Sequence, residues 1–143
     1  MVGGGMRDRH IWMIIVVMWV AVLFGPLVYD RVEYALDRSG WFDAEIEVLD
    51  GGMIAYTQTA RRDLTGDWQA WIEVDGKHIC GGFGTGTYRR SGRVTKYYSL
   101  GYFLGADCEI PPRNYRVCAS WTHRNNAGYS KSTGPVCSAV VTP

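Results

Sequence analysis

Three histidines are the only near-neutral bases this chain has, and none stands in a catalytic pattern. His10 precedes a long apolar run, His78 falls in a strand pattern and His123 stands at a loop entry. The sequence contains no G-x-S-x-G and no H-E-x-x-H, which excludes by motif the hydrolase elbow and the zinc-protease helix. No C-x₂-C spacing occurs, so His78-x-Cys80 is the nearest approach to a zinc ligand pair. Gly81-Gly82-Phe83-Gly84-Thr85-Gly86 is glycine-rich, but it lacks the lysine and the following helix that a phosphate cradle requires. We expect a flexible or bulged segment there. Asp107 and Glu109 flank Cys108 and read as solvated turn residues. Catalysis needs a nucleophile with a base, a carboxylate pair or a metal in a supporting context, and the expectation is no enzyme, no cofactor and no metal. Heptads, internal repeats and low-complexity tracts are missing as well, which excludes a coiled coil and a solenoid.

Charge is also missing from one place where its absence decides the organisation. Ile11 to Tyr29 (IWMIIVVMWVAVLFGPLVY) is nineteen residues without a charged side chain, long enough as a helix for the bilayer core of about 30 Å. A soluble amphipathic helix would show polar residues every third or fourth position. The run exceeds a signal-peptide core, and no A-x-A pair of small residues stands near its end, so we expect an uncleaved signal anchor. Arg7, Asp8, Arg9 and the amino group precede the run, whereas Asp30, Glu33 and Asp37 follow it together with Arg31 and Arg38. This balance favours a cytoplasmic N-terminus and a C-terminal domain on the periplasmic or extracellular side of the inner (plasma) membrane. Gly25-Pro26 would loosen the helix one turn before its exit. Beyond it, Leu27, Val28, Val32, Ala35 and Leu36 keep helical spacing to about Arg38, where Ser39-Gly40 makes a stop. The expected parts are a cytoplasmic segment 1–10, a span 11–29, a juxtamembrane helix and linker 30–40, and one domain over 41–143.

The chain beyond the anchor suffices for one small domain. Frequent glycine, tryptophan and tyrosine without helical periodicity indicate short strands joined by turns. All four cysteines, Cys80, Cys108, Cys118 and Cys137, lie beyond the anchor, and an even count in an exported domain implies two disulfides. Four cysteines allow three connectivities. Residues 30–75 carry eleven acids against four bases, and residues 76–143 nine bases against two acids. Arg89, Arg90, Arg93 and Lys96 interleave with Tyr88, Tyr97 and Tyr98, a pattern also found in single-strand binders. Complementary halves of one small domain can pair with each other instead, and for an exported domain we expect no nucleic acid.

Along the domain, Ala44 to Leu49 alternates as a half-buried strand, and Asp50-Gly51-Gly52 turns into a second strand, Met53 to Ala60. Arg61 to Asp67 reads as a polar loop. Trp68, Ala70, Ile72 and Val74 then share a core face, leaving Trp71 exposed among polar neighbours. Asp75-Gly76 is a hairpin signal before a strand at Lys77 to Cys80. Arg89 to Lys96 reads as a loop, Tyr97 to Leu104 as a strand interrupted at Gly101, and Tyr115, Val117, Ala119 and Trp121 as one face of a strand. After a loop over Arg124 to Ser132, a last strand spans Pro135 to Thr142.

Pro111-Pro112, Tyr115 and the strand through Trp121 resemble the last hairpin of a fibronectin type III or immunoglobulin-like β-sandwich, in which a tyrosine docks the chain at a corner. The resemblance covers about thirty residues and implies an antiparallel β-sandwich, with Tyr115 as the corner residue. Cys118 follows Tyr115 by three residues instead of two, so it faces away from the Tyr115/Trp121 side. If the hairpin turns at Ala127-Gly128, Cys118 stands opposite Cys137, which leaves Cys80 with Cys108. One short span with one small domain also resembles accessory membrane proteins of bacteriophages and prophages. The expected function is a membrane-tethered, non-enzymatic module for protein–protein interaction or assembly, with cell-wall or surface polysaccharide as the alternative partner. Trp71, Arg89, Arg90, Tyr97 and Tyr98 are the candidate binding surface, through aromatic stacking and cationic contacts.

Overall fold

A computed structural model describes residues 5–37 and 40–143. The amino terminus, Arg38 and Ser39, which enter the charge and helix-stop readings, lie outside them. The chain divides into two compact units, Met1–Arg38 and Ser39–Pro143. The first holds helix α1, Gly5–Leu36, with Pro26 carried inside it. Asp37 N–H still bonds to the Glu33 carbonyl at 2.8 Å. Within α1, Asp8–Leu36 is long and apolar enough to cross a membrane, and its most apolar window has no buried residue.

The second unit is two antiparallel sheets. One has the order β1-β2-β5 and the other β4-β3-β6-β7, where β1 is Phe42–Leu49, β2 Met53–Ala60, β3 Leu64–Val74, β4 Lys77–Tyr88, β5 Ser91–Ser99, β6 Arg116–Arg124 and β7 Ser130–Cys137. The Asp50-Gly51-Gly52 turn folds β2 back onto β1, with Leu49 opposite Met53 and Phe42 opposite Ala60. Asp75 and Gly76 both take positive φ (49° and 74°) between β3 and β4, the backbone that a two-residue hairpin with matching twist demands. Inward alternation buries Ile54, Tyr56, Gln58 and Ala60 on β2, Ala70, Ile72 and Val74 on β3, and Tyr115, Val117, Ala119, Trp121 and His123 at and along β6. Phe42 from one sheet meets Trp121 of the other at 5.5 Å between ring centroids. Tyr56 stacks on the same indole at 5.9 Å.

Five sequence expectations are corrected. The Arg61–Asp67 loop ends at Asp63, because Leu64 is buried and starts β3. The glycine segment is neither flexible nor bulged: Gly81 to Gly86 are the middle of β4, with Gly82, Gly84 and Gly86 half-buried and Phe83, Thr85 and Thr87 exposed. Arg89–Lys96 is not a loop, since β5 begins at Ser91; as an edge strand it exposes most residues and lacks the apolar alternation that marks a strand. The stretch read as a strand over Tyr97–Leu104 splits at Ser99, whose hydroxyl accepts from Tyr102 N–H at 3.2 Å and caps a short helix, α2 (Leu100–Leu104). Its buried Leu100, Phe103 and Leu104 stand at i, i+3 and i+4, a helical spacing. The last strand lies earlier than Pro135–Thr142: β7 covers Ser130–Cys137, and Pro135 falls where the register with β6 shifts, a position that needs no donated ladder bond. The β6–β7 loop shrinks accordingly to Asn125–Tyr129. Val141 keeps only a two-way backbone bridge to Tyr115, at 2.7 and 3.1 Å.

The cysteines pair as Cys80–Cys108 and Cys118–Cys137. Cys118 and Cys137 are direct partners across the β6–β7 ladder, with Cα atoms 4.0 Å apart. The two charge-skewed segments meet across strands: Arg93 bonds Glu45 at 2.6 Å, Arg116 bonds Glu73, and Arg90 N–H bonds the Asp63 carboxylate at 2.7 Å.

His123 is fully buried between Phe42, at 4.3 Å, and the edge of Tyr88, at 4.9 Å. Neither ring nitrogen has a hydrogen-bond partner. Desolvation pulls its pKa from 6.5 down to about 4. The unfolded chain therefore binds this proton at higher pH than the folded one. The contribution is intact above about pH 6.5 and is lost as pH falls toward 4, by about 3 kcal/mol in total. Melting curves from pH 7 to 4 should show that fall, and His123→Leu should flatten it relative to the parent. Replacing Cys118 and Cys137 together by serine should cost about 2–4 kcal/mol in denaturant unfolding.

Candidate functional site

Two surfaces of the domain concentrate aromatic side chains. The first is the outer face of the four-stranded sheet at its β4 edge. Register places Trp71 opposite Gly81 and Gln69 opposite Phe83, so Trp71 and Phe83 are diagonal neighbours across the ladder. Phe83 is 84% exposed and Ile79, beside the bulge between Ile72 and Glu73, is 54% exposed. Trp71 is half-buried, not exposed as its polar flanks imply. Its indole stacks on the His78 imidazole, 5.7 Å between centroids and 25° between planes, and a Cβ at Gly81 would stand 2.9 Å from the Trp71 Cβ. From Ile79 to Tyr88 the strand has no charge and no proline, the two residue classes that usually blunt an edge.

The second surface is a cleft of about 160 Å³ that opens between the edge strands β4 and β5, where the two sheets part. Tyr56, Trp68, Phe103 and Trp121 form its inner wall, and Tyr98 with Tyr102 its outer one. Tyr98 and Tyr102 stack at 5.0 Å with 11° between planes, and Tyr102 is 65% exposed. Lys96 lies opposite Tyr56 in the β2–β5 register and has no ion pair among the described residues. Gln58 is buried beside it, and the Tyr56 hydroxyl is buried with no hydrogen-bond partner. Burial pushes the Tyr56 phenol far above its ordinary value, so it remains a neutral donor. Tyr88 is pushed up to about 12 for the same reason.

The glycines of β4 make this wall. A Cβ at Gly84 would stand 2.8 Å from the Trp68 ring, and one at Gly82 would stand 2.9 Å from the Phe103 carbonyl of α2. Only a strand without side chains on that face lets the indole and α2 lie against it.

The residues expected to bind together are thus separated. Trp71 lies on the outer face of one sheet. Tyr97, 64% exposed, points outward from the other, as its pairing with Ala55 requires, while Tyr98 turns inward to the cleft. Arg89 and Arg90 occupy the exposed β4–β5 connection, with Arg90 held to Asp63 through its backbone. Phe83, Ile79, Lys96, Tyr56 and Gln58 join these surfaces without having been singled out. The alternation of Gly82, Gly84 and Gly86 with Phe83, Thr85 and Thr87 is a period of two, and that signal could have found Phe83. Nothing local distinguishes Tyr56 from any other core residue. His10 lies in α1, His78 is exposed, His123 is enclosed, Asp107 and Glu109 are exposed, and no cysteine is free among the described residues. Glu73 lies near Cys118 and Cys137, but both sulfurs are in the disulfide.

No protein-family model, no curated protein and no solved structure matches the chain.

If the β4 glycines serve packing, Gly84→Val should displace Trp68, cost about 1–3 kcal/mol and shift tryptophan emission. Gly92→Val, where an added Cβ meets nothing within 4 Å, should do neither.

Proposed function

We propose that the chain is a membrane-tethered, non-enzymatic interaction module whose β4 face binds an extended segment of a protein partner on the outer side of the membrane. Phe83 carries this reading: a phenylalanine left 84% exposed on an edge strand that has neither charge nor proline from Ile79 to Tyr88. Such an edge offers unpaired backbone groups for strand addition, and alternate side chains give the partner pockets to recognise. Trp71, Ile79 and Phe83 supply the apolar centre of that contact, and Arg116 with Glu73 lies beside it as a polar rim.

Three features support the placement. Residues 11–29 are uncharged and lie in a helix long enough to span a bilayer, the paired cysteines suit an oxidising compartment, and the flanking charges favour a cytoplasmic N-terminus. The strand order supports an immunoglobulin or fibronectin type III-like sandwich. First, second and fifth strands form one sheet, third, sixth and seventh the other, and the fourth is added at the edge of the third, as extra strands are added in variable-type domains. A second reading, surface polysaccharide, is favoured by the stacked Tyr98–Tyr102 pair at the open cleft.

Photo-crosslinking from position 83 of the full chain in its native membrane tests the main reading. A discrete protein adduct is expected from position 83 and not from the far hairpin at Asp50. Phe83→Lys should weaken capture about tenfold or more, with stability changed by less than about 0.5 kcal/mol. No adduct at 83, or capture indifferent to Phe83→Lys, would remove the β4 face as the binding surface.

A further inference from the structure

We propose that the cleft between β4 and β5 is a binding site for one pyranose ring bearing a carboxylate, that is, for an acidic sugar residue. The inference rests on the saccharide reading of the cleft and is independent of the β4 face.

Shape comes first. At about 160 Å³ the cleft has room for roughly five waters at their liquid volume, the scale of a single sugar ring and less than a drug-sized pocket. It opens between two edge strands, so a ligand enters from the side of the domain without displacing a strand. The walls set the next condition. Tyr98 stacks on Tyr102 and so holds the exposed Tyr102 ring at the cleft, and the electron-rich face left free by that stacking suits the C–H face of a pyranose. An extended peptide would need backbone pairing along an edge, whereas the cleft faces inward between the edges and ends against Phe103 and Trp121.

Polar groups then select the sugar. Lys96 stands at the cleft without a carboxylate partner among the described residues. A single ammonium matches one carboxylate, and no arginine lines the cleft to make the bidentate contact that favours phosphate. Gln58 supplies both a donor and an acceptor for ring hydroxyls. The Tyr56 hydroxyl has no partner in the folded protein, and a buried donor left unpaired destabilises until something accepts from it. A ring hydroxyl reaching that depth supplies the acceptor.

The test is a titration of the full chain in detergent micelles, followed by the change in tryptophan emission, Trp68 and Trp121 being the two of its six tryptophans that line the cleft. The probes are glucuronic acid, glucose as the neutral ring of the same size, acetate as the carboxylate without a ring, and an aspartate-containing hexapeptide. Saturable change with glucuronic acid, about tenfold weaker for glucose and for acetate, is expected. Tyr102→Ala should weaken both sugars about tenfold. Lys96→Met should bring glucuronic acid down to the level of glucose while leaving glucose unchanged. Both positions are exposed, and unchanged melting temperatures confirm that the variants fold. Equal binding of the two sugars, or a Lys96→Met variant that keeps the preference, overturns the acidic selectivity while leaving a saccharide cleft. Saturation by no sugar overturns the saccharide reading itself, and saturation by acetate or the hexapeptide alone reassigns the cleft to a carboxylate or a peptide.

Discussion

The domain depends on one indole. Trp121 sits on β6, an interior strand, and receives Phe42 and Tyr56 from the facing sheet. Those contacts join two sheets that share no backbone ladder. Large aromatic side chains bring more buried area than any other residue, with preferred tilted and stacked geometries. In a domain of this size, few other residues can fix the distance between sheets. Phe42 extends the contact to His123 and Tyr88, and Tyr56 extends it to Phe103 and Tyr98. The core is therefore a ring network with Trp121 at its centre. The two disulfides lie outside it, one across the β6–β7 ladder and one from β4 to the segment after α2.

A core made of rings has corners that rings do not fill. Flat, rigid side chains pack well along their faces and leave space where the network ends, and here it ends between β4 and β5. The glycines of β4 set the boundary from one side, because only they allow Trp68 and α2 to lie against that strand. Tyr98 and Tyr102 set it from the other. The same glycine run that shapes the inner wall leaves Phe83 on the outer face with nothing to pack on. One sequence feature thus produces both surfaces proposed as binding sites, and this is why neither coincides with the Trp71, Arg89, Arg90, Tyr97 and Tyr98 set that exposure and charge alone had suggested.

How far the fold could be read from the sequence depends on where each signal originates. The long apolar helix needed only an uncharged run. Strands β1, β2 and most of β6 alternate because one face is buried against a sheet partner, and Asp75-Gly76 names its own turn. Strand parity also placed Cys118 opposite Cys137. The errors cluster where tertiary contact overrides local pattern. Gly81 to Gly86 looks like a loop to any propensity scale, since its reason for being glycine is Trp68, which stands elsewhere in the chain. β5 is an edge strand whose outward residues are as polar as those of a loop. α2 is one turn long, too short for periodicity to outweigh its β-forming aromatics, and its helical state rests on the Ser99 cap and three buried side chains. The cleft belongs to no segment, because its walls come from β2, β3, β4, β5, α2 and β6.

The size of the cleft bears on how a tethered protein would use it. A site that holds one ring makes few contacts and, with the entropy of association set against them, binds in the weak range. Free in solution, such a site would select little. If the chain is tethered to a membrane and the cleft takes one ring of a polymer, many copies would face the same repeating ligand, and each engagement after the first would be intramolecular, at an effective concentration that reaches the millimolar scale for short linkers. Weak sites in number then hold firmly while each exchanges quickly. A protein strand added at the free edge of β4 would lie along the mouth of the cleft, which opens between β4 and β5, so occupation of one site would hinder the other. Trp121 bears on the cleft more than on the outer face of β4: any change that shifts the spacing of the sheets alters the cleft, whereas the outer face of β4 rests on its ladder with β3.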